Sequence, residues 1–407
     1  MCGIIALLRG PGTRNVLPPA DVLDRLDAIT RRLDAAGSDL GDAARAAADE
    51  LEELDRRLRD PDGVALLVRD RDLATRVAAG CVAIGDWIVR AEAALDLDGA
   101  DGASLEATNA ALLRLKDARW AVERDRVPTA ARVRELVGAN AGWSAIEIGT
   151  SIQQALSAID RLEVRGRDSA GLTVLVRDHG LDLQDPAIAR LIADRSDPLF
   201  RSRAVRTPEG HLSFVYKAAA EIGELGDNTA AMRAEIIGDE LLHLALAGER
   251  AAAVVLGHTR WASIGIISQP NAHPVDSHEV DLHDGPYVTA ALNGDVDNFA
   301  DLKSAGGLRV AAEITTGVEN SVTVSVWVMM PFYPRTAAGA SSGQRGQMRA
   351  GTQPLCGKWM NYAWLVGMTR MVFVHPVFVY VERVFEKHCY HRDRLFGPGS
   401  KNLEHVH

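Results

Sequence analysis

Met1-Cys2-Gly3-Ile4-Ile5 opens the chain, and the rest of the sequence is best read outward from it. A small second residue such as Cys permits removal of the initiator Met, so the expected mature chain begins with a free Cys2. One residue then carries a nucleophilic sulfur and a basic α-amine, and the amine can act as general base for its own thiol. An α-amino group titrates near 7.7–8.0, so about a seventh of it is neutral at pH 7, whereas a Lys near 10.4 is almost fully protonated. The residues after Cys2, up to Leu8, form a short apolar run that ends at Arg9-Gly10-Pro11-Gly12. This predicts a buried strand and a turn. A strand start suits a nucleophile, because it fixes the terminal residue against a rigid sheet.

At 407 residues the chain has room for two or three domains and a sizeable core. A net charge of −10 argues against nucleic acid or an anionic membrane as the main partner. The four Cys, at 2, 81, 356 and 389, form neither a C-x-x-C pair nor a regular framework. Neither a zinc site nor a disulfide scaffold is indicated. There is no signal-peptide pattern and no charge-free apolar run of bilayer length, so a cytoplasmic location is expected.

From about Ala20 to Ala141 the character changes. Val22, Leu23, Leu26, Ile29 and Leu33 recur at helical spacing, and Leu51, Leu54 and Leu58 continue the pattern until Pro61-Asp62-Gly63. Leu105 to Arg126 and Thr129 to Val137 repeat the same style, which predicts a module of several antiparallel helices. Its charged faces read as solvated, and it holds no cluster of His, Cys or paired acids. Further on, helices are predicted over Ile146 to Arg161, Leu181 to Leu199 and Asn228 to Leu246, with another beginning near Asn298. Strands are predicted at Leu172 to Val176, Ser213 to Ala218, Val254 to Leu256 and Tyr287 to Leu292. Without regular βαβ alternation, this mixture favours an α+β layered sandwich over a doubly wound sheet.

Three further segments carry chemistry. One is Arg165-Gly166-Arg167-Asp168-Ser169-Ala170-Gly171. The second runs from Gly257-His258-Thr259-Arg260-Trp261-Ala262-Ser263-Ile264-Gly265 to Pro270-Asn271-Ala272-His273-Pro274. The third is Asn293-Gly294. In isolation an Arg-Trp pair is ordinarily surface charge over a packed ring, and Asn-Gly a hairpin turn. With Cys2-Gly3, and in this order and spacing, the segments resemble the class II (N-terminal nucleophile) glutamine amidotransferases. Within that class they are most like the glutaminase half of the glutamine:fructose-6-phosphate amidotransferases (glucosamine-6-phosphate synthases). The resemblance covers about residues 1–9 and 142–316. It leaves 10–141 as a helical insertion and 317–407 as an atypical C-terminal tail with no isomerase domains.

The resemblance implies a four-layer αββα sandwich and hydrolysis of L-glutamine to glutamate and ammonia through a thioester on Cys2. It implies no cofactor. Cys2 would be the nucleophile, and Asn293 with the Gly294 backbone N–H the oxyanion donors. Losing one such donor typically costs about a hundredfold or more in rate. Arg260 would bind the substrate α-carboxylate through its bidentate fork. Trp261 would lie near the ammonia passage and Ser263 would line the glutamine pocket. Arg165 and Asp168 would buttress the nucleophile's end of the sheet. His258 and His273 read as holding loop structure, not a metal, since no ligands lie at zinc spacing. The implied partners are L-glutamine and a sugar-phosphate isomerase domain or subunit in trans, and a homo-oligomer is allowed for.

The chain departs from the family pattern in several places. Ile264 stands where the family usually has a His. The helical insertion interrupts the domain between its first strand and first helix, which is energetically tolerable at a loop. Gly317 stands where the family has an Asp that binds the glutamine α-ammonium, and Glu319 could replace it only if the loop shifts. From Gly317 on, the segment is rich in Met, Phe and Tyr and poor in acids. It reads either as a separate apolar module or as a shifted reading frame or spliced end, poorly folded and aggregation-prone. The rival to a glutaminase is a catalytically silent domain that keeps the fold as a binding or scaffold module.

Overall fold

The computed structural model describes residues 2–8, 17–98, 102–219, 224–262, 265–280, 287–293, 304, 311–315, 370–374 and 377–383. The apolar run after Cys2 forms the strand β1, Gly3–Leu8. It lies at the edge of a five-stranded sheet of order β1-β5-β2-β4-β3, whose other strands are β2 (Ser169–Arg177), β3 (Val205–Arg206), β4 (Leu212–Ala218) and β5 (Ala252–Arg260). All its pairings are antiparallel. The register sets Gly3 opposite Thr259 and Leu8 opposite Val254. It sets Ser169 opposite Arg260 and Gly171 opposite His258.

Side chains alternate across this sheet, so each strand serves two cores. Leu172, Val174 and Val176 of β2 point one way, with Phe214 and Tyr216 of β4 and Val255 of β5. They meet the helices α7 (Trp143–Leu162), α9 (Asp227–Ile237) and α10 (Glu240–Leu246). Leu175, Val254 and Leu256 point the other way and pack on Ala291 of a second sheet and on Tyr287, just before one of its strands. That sheet has the order β6-β7-β9-β8, from Val275–Asp276, Val288–Asn293, Val377–Arg383 and Arg370–Val374. β7 pairs antiparallel with β6 and parallel with β9. The described residues therefore stack as a helix layer, a sheet and a second sheet.

Between β1 and α7 stands the helical module: α1 (Pro19–Asp34), α2 (Leu40–Arg59), α3 (Pro61–Arg69), α4 (Arg71–Asp98), α5 (Gly102–Trp120) and α6 (Val127–Val137). It has its own core, in which Val22, Leu26, Ile29 and Leu33 of α1 meet Leu51, Leu54 and Leu58 of α2. Ile146 of α7 completes that core. Arg69 lies 4.4 Å from the ring centroid of Trp143, and its guanidinium donates to the Ala141 carbonyl at 3.4 Å, tying the module to the start of α7.

Several elements differ from the sequence expectation. Pro61 does not end the helical pattern but opens α3, where its missing N–H costs nothing because the first turn has no acceptor for it. α4 falls inside the expected helical module but had no bounds of its own in the sequence reading; its buried stripe of Leu73, Val77, Ile84 and Ile88 is interspersed with Val82 and Val89, which are exposed. A single turn of π-helix, Ala121–Arg126, joins α5 and α6 into one rod. The helix expected over Leu181 to Leu199 is confined to α8, Pro186–Ala193. The helix expected over Asn228 to Leu246 is two, because Asp239 caps α10 by accepting from the Leu242 N–H at 3.0 Å. Asp239 also meets Arg195 and the Tyr216 hydroxyl, each at 2.7 Å, and that buried network fixes the break. The helix expected near Asn298 and most of the tail from 317 lie outside the described residues.

Candidate active site

β1 and β7 belong to different sheets, yet the start of the first and the end of the second meet. The Cys2 backbone nitrogen donates to Asn293 Oδ1 at 3.2 Å. Cys2 is fixed from the other side by β5. The Gly3 N–H donates to the buried Thr259 Oγ1 at 3.1 Å, and the Trp261 N–H points at Cys2 Sγ at 3.4 Å. With Asn293 Oδ1 turned to the Cys2 nitrogen, the amide's two N–H donors are directed elsewhere.

Two glycines of the Arg165 to Gly171 segment let backbones approach where a side chain would not fit. A Cβ on Gly166 would lie 2.8 Å from the Trp261 nitrogen, and one on Gly171 would lie 2.1 Å from the His273 carbonyl oxygen. Asp168 sits between them in sequence and accepts from the Ala262 N–H at 2.6 Å, while its own N–H donates to the Arg260 carbonyl at 3.2 Å. Asp168 thus holds the chain just past β5, next to Cys2. Arg165 is exposed at the end of a short 3-10 turn.

Arg260 is 4% exposed and ends β5 one register step beyond Thr259, level with Cys2. Its guanidinium donates to the Ile266 carbonyl at 3.1 Å. The Ile266 N–H donates to Thr315 Oγ1 at 2.9 Å, and the Thr315 N–H to Asn271 Oδ1 at 2.7 Å. Asn271 is fully buried and also donates to Ser268 Oγ at 2.8 Å and the Glu313 carbonyl at 2.9 Å. Sequence reasoning gave Asn271 and Thr315 no role. Asn271 stood inside a quoted motif, but two of its partners, Glu313 and Thr315, lie over forty residues further on and only folding brings them near. Trp261 contributes its backbone N–H to Cys2, and its residue is 58% exposed. Ser263, Gly294 and Gly317 lie outside the described residues.

Beneath the site, between the sheets, lie His258 and His273, with ring centroids 4.3 Å apart. Burial pushes His258 down to about 3, and Arg260 nearby adds to the effect. Burial also holds His273 well below the usual histidine range, reinforced by His258, Arg260 and Lys217. Both rings are therefore neutral at physiological pH. His258 Nε2 lies 2.9 Å from the Leu292 carbonyl, and His273 Nδ1 accepts from the Leu292 N–H at 3.5 Å.

No family model matches the chain, and no solved structure does. Over 170 residues, 41% of this chain, it is 29% identical to a glutamine–fructose-6-phosphate aminotransferase (isomerizing) of Acidithiobacillus ferridurans. The match spans 19% of that protein's length. The chain is thus a distant relative of an aminotransferase of that kind.

Proposed function

We propose that this chain is a class II glutamine amidotransferase whose N-terminal-nucleophile domain, a four-layer αββα sandwich, hydrolyses L-glutamine to glutamate and ammonia. The observation that carries the reading is the 3.2 Å hydrogen bond from the Cys2 nitrogen to Asn293 Oδ1. It brings the Cys2 nitrogen, which becomes the α-amine once Met1 is removed, to the Asn293 side-chain amide. Once Met1 is removed, the Cys2 α-amine takes the thiol proton. Sulfur then attacks the side-chain amide carbon, and the tetrahedral oxygen is held by the Asn293 amide and the Gly294 N–H. Collapse transfers the proton to the departing nitrogen and releases ammonia, leaving a thioester that water hydrolyses to glutamate. Arg260, a buried cation level with Cys2, receives the substrate carboxylate.

The distant similarity to an isomerizing aminotransferase suggests where the ammonia goes. A sugar phosphate, bound by an isomerase domain or subunit in trans, is the acceptor in this reading. One observation favours the rival, a silent domain: Gly317 replaces the family's ammonium-binding Asp.

Intact-mass spectrometry before and after 6-diazo-5-oxo-norleucine, a glutamine-mimicking electrophile, separates the two. A mass lacking Met1, with one adduct that disappears in Cys2→Ala, is expected for the glutaminase. Retained Met1 rejects the mechanism. A processed but unlabelled Cys2 that gains the adduct in Gly317→Asp identifies the silent domain and the cause of its silence.

A further inference from the structure

We propose that His258 and His273 are positioning residues for the oxyanion donor: they grip both backbone polar groups of Leu292 and so fix Asn293 against Cys2. The proposal rests on the glutaminase reading above and adds to it a device for holding the catalytic amide.

The need for such a device follows from the strand pairing. β6 pairs with β7 only at Val275–Ala290 and Asp276–Thr289. Continued by two residues, that register sets Pro274 opposite Ala291 and His273 opposite Leu292. Pro274 has no N–H to give, so the backbone ladder stops short of the catalytic end of β7. The N–H and C=O of Leu292, which is 1% exposed, still require partners. Two imidazoles supply them.

The two contacts require complementary tautomers. His258 donates through Nε2–H to the Leu292 carbonyl, so its Nδ1 carries the lone pair. His273 accepts at Nδ1 from the Leu292 N–H, so its proton is on Nε2. His258 Nδ1 and His273 Nε2 make no hydrogen bond among the described residues, so each ring has its grip on Leu292 as its hydrogen-bonding task. The rings come from separate places. His258 projects from β5, which also carries Thr259 and Arg260, and His273 precedes β6, its carbonyl seated over Gly171. Asn293 is thereby referenced to the same strand that holds Cys2. A strand end secured only by β9 would leave the amide free to drift from the nucleophile.

Chemistry dictates the test. In His258→Gln the amide N–H can replace Nε2–H, whereas His258→Met fills the space without a donor. In His273→Asn the amide oxygen can replace Nδ1, whereas His273→Leu cannot accept. Amide hydrogen exchange across residues 287–294 is measured first, because it does not depend on catalysis. Exchange at Leu292 is expected to accelerate about tenfold or more in the Met and Leu variants and to stay slow in the Gln and Asn variants. Unchanged exchange in the Met and Leu variants overturns the grip.

Glutamate release is measured next. In His258→Met and His273→Leu, kcat is expected to fall by about tenfold to a hundredfold with KM little altered, and the Gln and Asn variants are expected to recover most of it. Equal kcat in all variants, or equal loss in both members of a pair at unchanged exchange, overturns the positioning role. A wild-type chain that grips Leu292 but releases no glutamate rejects the proposed function, and with it the purpose assigned to the grip.

Discussion

Cys2 and Asn293 are joined by a hydrogen bond of 3.2 Å, although 291 positions separate them in the chain. One directly precedes the first strand of one sheet and the other closes a strand of the second. The stacking of the two sheets through Leu175, Val254, Leu256, Tyr287 and Ala291 sets that distance, so the site is only as rigid as that core.

Replacing Asn293 by Ala removes the acceptor for the Cys2 nitrogen and, in the proposed mechanism, an oxyanion donor as well. The expected result is a fall in kcat of about a hundredfold to a thousandfold, with a much smaller change in KM. Steady-state glutamate release checks it. A fall confined to KM would place Asn293 in substrate binding instead.

Thr259→Val keeps the side-chain volume but leaves the buried Gly3 N–H without its acceptor. A loss of about 1–3 kcal/mol in stability is expected. Cys2 should also be looser, with slower alkylation by the glutamine analogue. Urea unfolding and labelling rates measure the two effects, and a variant as stable as wild type would show that another group satisfies Gly3.

Gly171→Ala is expected to be among the most damaging single-methyl additions in the chain. Its Cβ would lie 2.1 Å from a backbone oxygen, that of His273, which no rotamer change can move aside. Separating strand from loop should cost about 1–3 kcal/mol. Gly142→Ala, where no atom lies within 4 Å of the added carbon, is the control. Thermal melts of the two should differ clearly, and matching melting temperatures would contradict the close approach.

Acid should destabilise the fold through the histidine pair. Both titrate below their ordinary value when folded, so on acidification the unfolded chain takes up their protons first. Their contribution is intact above about pH 6.5 and is lost as pH falls from there toward His258's folded value. For His258 the loss is about 2 kcal/mol between about pH 7 and about pH 5, and His273 adds to it in the same direction. Urea titrations at the two pH values should show it, and His258→Gln should lose measurably less. An identical loss in the variant would mean that other groups drive the acid sensitivity.

What the sequence determined by itself was local. The apolar run after Cys2 has strand composition, and the spacing of Val22, Leu26, Ile29 and Leu33 has helical period; neither needs a distant partner to be read. The motifs around Asp168, Arg260 and Asn293 stood out in the sequence by residue type and order, and the chemistry assigned to them belongs to the proposed function. Tertiary structure decided the rest. That Asp168 holds the Ala262 N–H, that Asn271 gathers Thr315 and Glu313, and that two neutral histidines grip Leu292 depend on groups tens or hundreds of residues apart. Their partners are backbone N–H and C=O groups, which every residue carries and no sequence pattern marks. Burial then requires those groups to be satisfied, and only the packed sheets determine which side chain is near enough to do it.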